Sequence, residues 1–245
     1  MVQGARELHR IETRSKGDRD LVSEVDLRAE QRIVEILTES FPAHGIRAEE
    51  GSGRETDSPY QWLVDPLDGT HNFMHGNPAY CVSIALLNRK QLECGVVYDP
   101  VRRELFEATR GRGAKLNDRR IRVSDCLSLA EALISTGFPP LNEKKAQAMS
   151  GMLSGLHCSV GGVRQSGSSA LDLAYYAAGR LSGLVHFGLK PWDSAAGALL
   201  VQEAGGLVTD FSGGSQFLET GELVAAGPRL APLLLANIGD NLPES

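Results

Sequence analysis

The stretch WLVDPLDGTHNF, residues 62–73, constrains this chain more than any other. An apolar run ends there in two carboxylates, Asp65 and Asp68, set either side of a proline. Like charges held together disfavour ionisation and raise each other's pKa. The chain has to offset that cost, and a cation is the direct way to do it. Pro66 has no amide proton for a sheet ladder, which predicts that the strand YQWLV stops there. The turn Asp65-Pro66-Leu67-Asp68-Gly69 can bring its first and fourth side chains to one side, with a backbone carbonyl between them. That is a hard-oxygen donor set of the kind magnesium takes. Gly69 lets the backbone approach a ligand closely, Thr70 adds a hydroxyl, and nearby amides could face an anion. An Asp-Pro pair alone is an ordinary turn at a strand end; the whole string says more.

The rest of the chain mixes helical and strand patterns. SEVDLRAEQRIVEILTESF (residues 23–41) predicts a helix, with Ser23 and Asp26 as a capping box, Ala29, Ile33, Ile36 and Leu37 at helical spacing, and Pro42 as its stop. YCVSIALL, LECGVVYDP and ELFEATRG read as short strands between polar turns, and Asn117-Asp118 as a further turn. The second half opens on a strand, EALISTGF, and then alternates. It reads as a helix over about 142–156, a strand HCSVGGVRQ, a helix SSALDLAYYAAGR opened by Gly167 and Ser168 and closed near Gly179, and a strand LSGLVHFG. The helix PWDSAAGALLVQEAGG follows, with Pro191 near its start and Gly205-Gly206 at its stop. Strands LVTDF and LVAAG lead to a closing helix from about Pro228. Consecutive strands followed by alternation predict an α+β protein of stacked sheets and helices. The expectation is one domain over residues 1–245, built from two intimate halves, about 1–134 and 135–245.

Composition narrows the function classes. Hydrophobic residues make up 42% and charged residues 23%, as in an ordinary soluble protein. No apolar run reaches the roughly 18 residues of a membrane span, and the start MVQGARELHRIETRSKG has no apolar signal-peptide core. Cys81, Cys94, Cys126 and Cys158 lie far apart without CxxC spacing, and read as reduced thiols of a cytoplasmic protein. The net charge of −6 argues against general nucleic-acid binding. Local basic clusters exist: Arg102-Arg103, Arg110 with Arg112, and Arg119-Arg120 with Arg122. They read as a solvated face or, alternatively, as a docking patch for a partner.

Two more acidic positions matter in combination. Glu49, in RAEEGSG, reads alone as part of a solvated loop. Asp193 falls in the first turn of a helix, where an acid is ordinarily favourable, but the run Ala195-Ala196-Gly197-Ala198 would let that helix pack tightly. Together, DLVSEVD (20–26), AEEGSG (48–53), WLVDPLDGTHNF and PWDSAAGALLVQEAGG (191–206) resemble, in order, the motifs of the inositol monophosphatase family of magnesium-dependent phosphatases. The similarity runs from about Lys16 onward, and GSSALDLAYYAAGR with FGLKPWD resembles its bacterial inositol-1-monophosphatase-like branch. The resemblance implies a layered αβαβα sandwich, usually in a homodimer, inhibition by lithium, and about two or three Mg²⁺ per active site. It implies that Glu49, Asp65, Asp68 and Asp193 hold the metals, with the backbone carbonyl of Leu67. Glu49 and Thr70 would hold and activate the attacking water, with Asp26 beside Thr70. Lys16 would lie near the outer metal and phosphate, and Gly69 and Thr70 would contact phosphate. Gly167, Ser168, Ser169 and His186 would line the substrate side, with Asp68 and Asp193.

The implied reaction is hydrolysis of a small sugar-alcohol or sugar phosphate, inositol 1-phosphate first. Fructose 1,6-bisphosphate, histidinol phosphate and 3′-phosphoadenosine 5′-phosphate are rivals. Such esters hydrolyse extremely slowly in water, and metals about 3.5–4 Å apart can clamp the attacking and leaving oxygens. Departures from the pattern fall on the substrate side. Ala48 replaces a usual glycine, His71 follows Thr70, Ser169 replaces an alanine, and His186 stands where the family carries a ring-binding glutamate. A histidine can accept or donate one hydrogen bond, and a positive one could face a second phosphate, with Lys190 or Arg164 as further cations. A role of another class, docking to transcription or ribosome-assembly machinery, is associated with some bacterial relatives, and the arginine clusters are its one sequence sign.

Overall fold

The computed structural model describes residues 13–17, 20–137 and 143–241. A short antiparallel pair, β1 (Thr13–Gly17) and β2 (Asp20–Ser23), leads into helix α1 (Glu24–Ser40). Ser23 caps that helix as expected: its hydroxyl accepts from the Val25 amide, while the Asp26 carboxylate accepts from the Ser23 amide. Seven strands then form one sheet in chain order: β3 (Gly45–Ala48), β4 (Tyr60–Asp68), β5 (Cys81–Asn88), β6 (Gln91–Asp99), β7 (Glu104–Thr109), β8 (Gly113–Leu116) and β9 (Arg119–Arg120). β3 runs parallel to β4, and the other pairings are antiparallel. The short helix α2 (Thr70–Met74) follows β4.

The second half builds a five-stranded sheet in the order β11 (Gly162–Arg164), β10 (Leu133–Gly137), β12 (Gly183–His186), β14 (Leu223–Ala226), β13 (Leu207–Thr209). Its helices are α3 (Glu143–Ser159), α4 (Ser169–Ala177), α5 (Pro191–Glu203), the single turn α6 (Phe217–Thr220) and α7 (Ala231–Asn241).

Side-chain alternation sets the layers. On β5, Cys81, Ala85 and Leu87 join Leu171, Leu173 and Leu199 of α4 and α5, whereas Ile84 and Leu86 join Trp62, Val64 and Leu37 on the α1 side. On β14, Leu223 and Ala225 face the same α4–α5 layer, while Val224 and Ala226 pack with Met152 and Leu234 of α3 and α7. The order is therefore α1, large sheet, α4 and α5, small sheet, α3 and α7: an α+β sandwich of αβαβα layers. Among the described residues, no helix is long and apolar enough to cross a membrane.

The middle layer depends on small residues. A Cβ on Gly95 of β6 would come 2.9 Å from the Ala196 Cα, and one on Gly197 would come 2.4 Å from the Leu173 Cβ. The small-residue run of α5 thus allows the close packing that its sequence predicts.

Several boundaries differ from expectation. β4 continues through Pro66 to Asp68 instead of stopping at the proline. Asp65 lies opposite Ser83 and Asp68 opposite Cys81, so three steps on β4 match two on β5. The proline is tolerated because an extra bulged residue leaves the ladder there. His157, Cys158 and Ser159 belong to α3, and the strand after them begins at Gly162. The last helix begins at Ala231, not near Pro228. Asn117 and Asp118 take positive φ, 45° and 64°, in the expected turn between β8 and β9.

Gly197→Val should overpack the α4–α5 contact and cost about 1–3 kcal/mol. Urea unfolding would read this as a lower midpoint at unchanged slope; an unchanged midpoint would contradict the tight-layer account.

Candidate active site

The bulge in β4 aims the first pair of acids. Asp65 is buried, and one of its oxygens accepts from the Leu67 amide at 2.9 Å. The Leu67 carbonyl in turn accepts from the Thr70 hydroxyl at 3.1 Å. Between them, Gly69 takes φ 95°, and a Cβ there would lie 2.8 Å from the Ala79 carbonyl oxygen. Only glycine meets both demands.

The other residues arrive from four elements. Asp26, buried on α1, accepts from the Thr70 hydroxyl through Oδ1 at 2.9 Å, while its Oδ2 accepts from the Ser23 amide and hydroxyl. Asp68 Oδ2 accepts from the Ser168 hydroxyl and the Ala170 amide, both at 2.7 Å, at the start of α4. Asp193, in the first turn of α5, accepts from the Lys190 amide at 2.7 Å. Glu49 directly follows β3, and its amide donates to the Val64 carbonyl at 3.1 Å. The loop after it is clamped by Glu30, whose buried carboxylate accepts from the Glu50 amide at 2.6 Å and the Ser52 amide at 2.8 Å.

Charge sets the character of this region. Burial first, then the neighbouring charges of Glu49, Asp68 and Asp193, hold the Asp65 carboxyl well above its ordinary range. Burial raises Asp68 to about 6, against the opposing bonds from Ser168 and Ala170. Asp193 is also held well above the usual value, by burial and then by Asp68. Among the described residues, no three Asp, Glu, His or Cys side chains converge closely enough to ligate one ion in their present positions. The four acids are electrostatic neighbours instead, with Asp68 and Asp193 each turning an oxygen to a backbone amide. An all-oxygen, anionic donor set, partly buried, suits a hard divalent cation.

A cavity of about 190 Å³ adjoins the acids, lined by Asp68 and Asp193 together with Gln165, Ser169, His186 and Leu189. Gly167 and Ser168 line it too, but the Ser168 hydroxyl is committed to Asp68. Gly167 takes φ 87° and packs on the Asn72 amide, which donates to the carbonyls of Ala79 and Ser166. Asn72 thereby ties α2 to the start of α4. His186 is buried, and burial lowers its pKa to about 4. Burial therefore favours the neutral ring near pH 7. Arg164 is exposed and donates to the Val163 carbonyl. Lys16 lies on β1, and its side chain falls outside the described residues.

Glu30, Asn72 and Asp172, whose buried carboxylate accepts from the Ser135 hydroxyl at 2.5 Å, carry structural weight that the sequence reading missed. For Glu30 a signal existed: it stands four residues after Asp26, on the same helix face. All four cysteines are free thiols, and Cys81 is buried beside Asp68 and Ser168.

The sequence profile described as the inositol monophosphatase family matches residues 1–242. A Nus factor SuhB from Pseudomonas aeruginosa is 48% identical over 241 residues, covering 96% of this chain and 89% of that protein. A putative Nus factor SuhB from Neisseria meningitidis serogroup B is 46% identical over 236 residues, covering 96% and 90%. The crystal structure of the extragenic suppressor protein suhB from Bartonella henselae superposes with a TM-score of 0.94 at 39% identity, covering 98% of this chain and 93% of that one. The inositol monophosphatase from Anabaena superposes at 0.84, also at 39% identity, covering 89% and 87%. The chain belongs to the inositol monophosphatase family, a class of phosphoric monoester hydrolases.

A raised carboxyl pKa in the fold favours the folded state at low pH and loses that contribution as pH rises. For Asp68 the contribution is complete below 3.8 and lost as pH passes about 6. With divalent cations chelated, the melting temperature should fall between about pH 4 and about pH 7, and Asp68→Asn should shrink that fall. An equal or larger fall in the variant would contradict this assignment.

Proposed function

We propose that this chain is a Mg²⁺-dependent phosphatase of small polyol phosphates, with inositol 1-phosphate the first candidate substrate. The observation that carries the reading is Asp65: a buried carboxylate set among three more acids, whose ionised form a bound cation would stabilise. Glu49, Asp65, Asp68, Asp193 and the Leu67 carbonyl are the residues that would hold about two or three ions. When bound, the ions supply Lewis acidity and offset the charge of the anionic substrate. The crystal structure of an inositol monophosphatase/NADP phosphatase complexed with Mg²⁺ and phosphate, which superposes at a TM-score of 0.83 and is 26% identical, supports the choice of ion. Lithium inhibition and a homodimer belong to the same reading.

Side chains of this protein account for the proton. The Thr70 hydroxyl has one hydrogen, which it can give to Asp26 Oδ1 at 2.9 Å or to the Leu67 carbonyl at 3.1 Å. In the first arrangement its lone pairs are available to a water oriented by Glu49 and Thr70. As that water attacks phosphorus and the P–O bond to the alcohol breaks, the water's proton passes to Thr70 Oγ while the Thr70 proton passes to Asp26, and the departing alkoxide takes a proton from a solvent water. Ser23 keeps Asp26 in place from the other side.

A second reading has its own support. Arg119 and Arg120 are exposed on β9, the last strand of the large sheet, and several relatives carry the name Nus factor. Docking to transcription machinery would fit that name and would use this edge rather than the acids.

Release of phosphate should be measured with Mg²⁺ over phosphorylated polyols, sugars and nucleotides. The expected outcome is turnover with inositol 1-phosphate among the best substrates. Asp65→Asn should lower kcat by more than about 100-fold, since even residues behind metal ligands cost 10–100-fold, while leaving partner docking intact. No hydrolysis of any ester would defeat the phosphatase reading, and a wide preference for a bisphosphate would defeat the substrate.

A further inference from the structure

Three polar side chains form a buried line behind the cavity wall. The Ser135 hydroxyl donates to Asp172 Oδ2 at 2.5 Å. The same oxygen lies 3.8 Å from His186 Nε2, too far for a hydrogen bond but close enough for strong electrostatic bias. His186 is 3% exposed and Asp172 4%. Nε2 is buried and has no hydrogen-bond partner among the described residues. The opposite edge of the ring faces Gly137. A Cβ there would lie 2.8 Å from Nδ1 and 2.9 Å from Cε1, so glycine leaves that edge open. Gly137 and His186 both line the cavity beside Asp68 and Asp193.

A neutral imidazole carries one N–H and one acceptor lone pair, and its surroundings decide which nitrogen has which. A carboxylate facing Nε2 draws the proton there. The lone pair then sits on Nδ1, on the edge that Gly137 leaves clear. Burial that lowers the pKa to about 4 keeps the ring neutral and so keeps the lone pair available.

We propose that Asp172 is a positioning residue that fixes His186 as the Nε2–H tautomer, so that Nδ1 accepts a hydrogen bond from a substrate hydroxyl. The substrate class is then a phosphomonoester whose end distant from the phosphorus bears an uncharged hydroxyl. An ionised second phosphate offers only acceptor oxygens and would meet a lone pair. Ser169 and Gln165, on the same wall, add polar groups suited to further hydroxyls. The kinetic part of this proposal rests on the phosphatase reading; the tautomer does not.

Two measurements test it. Long-range ¹H–¹⁵N correlation on protein labelled in histidine reads the tautomer directly, with His186→Gln identifying the signal. Nε2 should be protonated and Nδ1 bare in the wild type, and Asp172→Asn should move the ring toward a mixture. In kinetics, Asp172→Asn should raise KM for a polyol phosphate roughly five- to tenfold, about the worth of one hydrogen bond, with kcat nearly unchanged. Phenyl phosphate, which has no hydroxyl to offer, should show no change. His186→Gln, which keeps an acceptor, should retain most of the polyol preference, and His186→Leu should lose it. A ring protonated on Nδ1 in the wild type would overturn the proposal, as would an equal KM rise with phenyl phosphate. If no ester is hydrolysed, the phosphatase reading fails while the labelled spectrum still decides the tautomer.

Discussion

One buried acid, Asp65, with three half-buried acids as electrostatic neighbours, Glu49, Asp68 and Asp193, is the constraint on which the rest of this structure depends. Asp65 is surrounded by charges of its own sign. The fold offers partial relief: Asp68 accepts from the first turn of α4, and Asp193 lies in the first turn of α5. A helix N-terminus is worth about 0.3–1 kcal/mol to a nearby anion, up to about 2 in a favourable site. Burial of an ion costs several kcal/mol even after relaxation. The amides therefore cannot balance the account, and Asp68 stays raised to about 6 despite them. A divalent cation is large enough in charge to reverse the sign.

The remaining architecture reads as support for that arrangement. The bulge at Pro66 turns what would be an alternating strand into one that brings Asp65 and the Leu67 carbonyl beside Thr70. Glu30 fixes the loop that carries Glu49, and Asp26 fixes Thr70. Small residues in α5 allow it to pack so tightly against β6 and α4 that Asp193 is held in position by the core itself. The Asp65–Leu67 and Leu67–Thr70 bonds are local, but Asp26 to Thr70, Glu30 to the loop of Glu49, and α5 to β6 join elements distant in sequence, so the site exists only once these elements are assembled.

Much of this was legible beforehand, for reasons that can be named. Strand alternation in YCVSIALL, the Ser23–Asp26 cap and the Pro191–Gly205 limits of α5 are local signals, and they hold in the structure. The end of β4 was misread because a proline stops a regular strand, but here it occupies a bulge whose existence depends on the partner β5. Glu30 and Asp172 were missed because an acid in a helix reads as solvated until tertiary contacts bury it. The charge of His186 was open for the same reason: its ordinary pKa lies near neutrality, and only the surrounding burial decides it.

The central claim is that the acids exist to hold divalent ions. Anomalous diffraction from crystals soaked in Mn²⁺, at concentrations that support catalysis, tests it most directly. The account predicts anomalous peaks enclosed by Glu49, Asp65, the Leu67 carbonyl, Asp68 and Asp193. An occupied lattice elsewhere with no peak among these groups would contradict it.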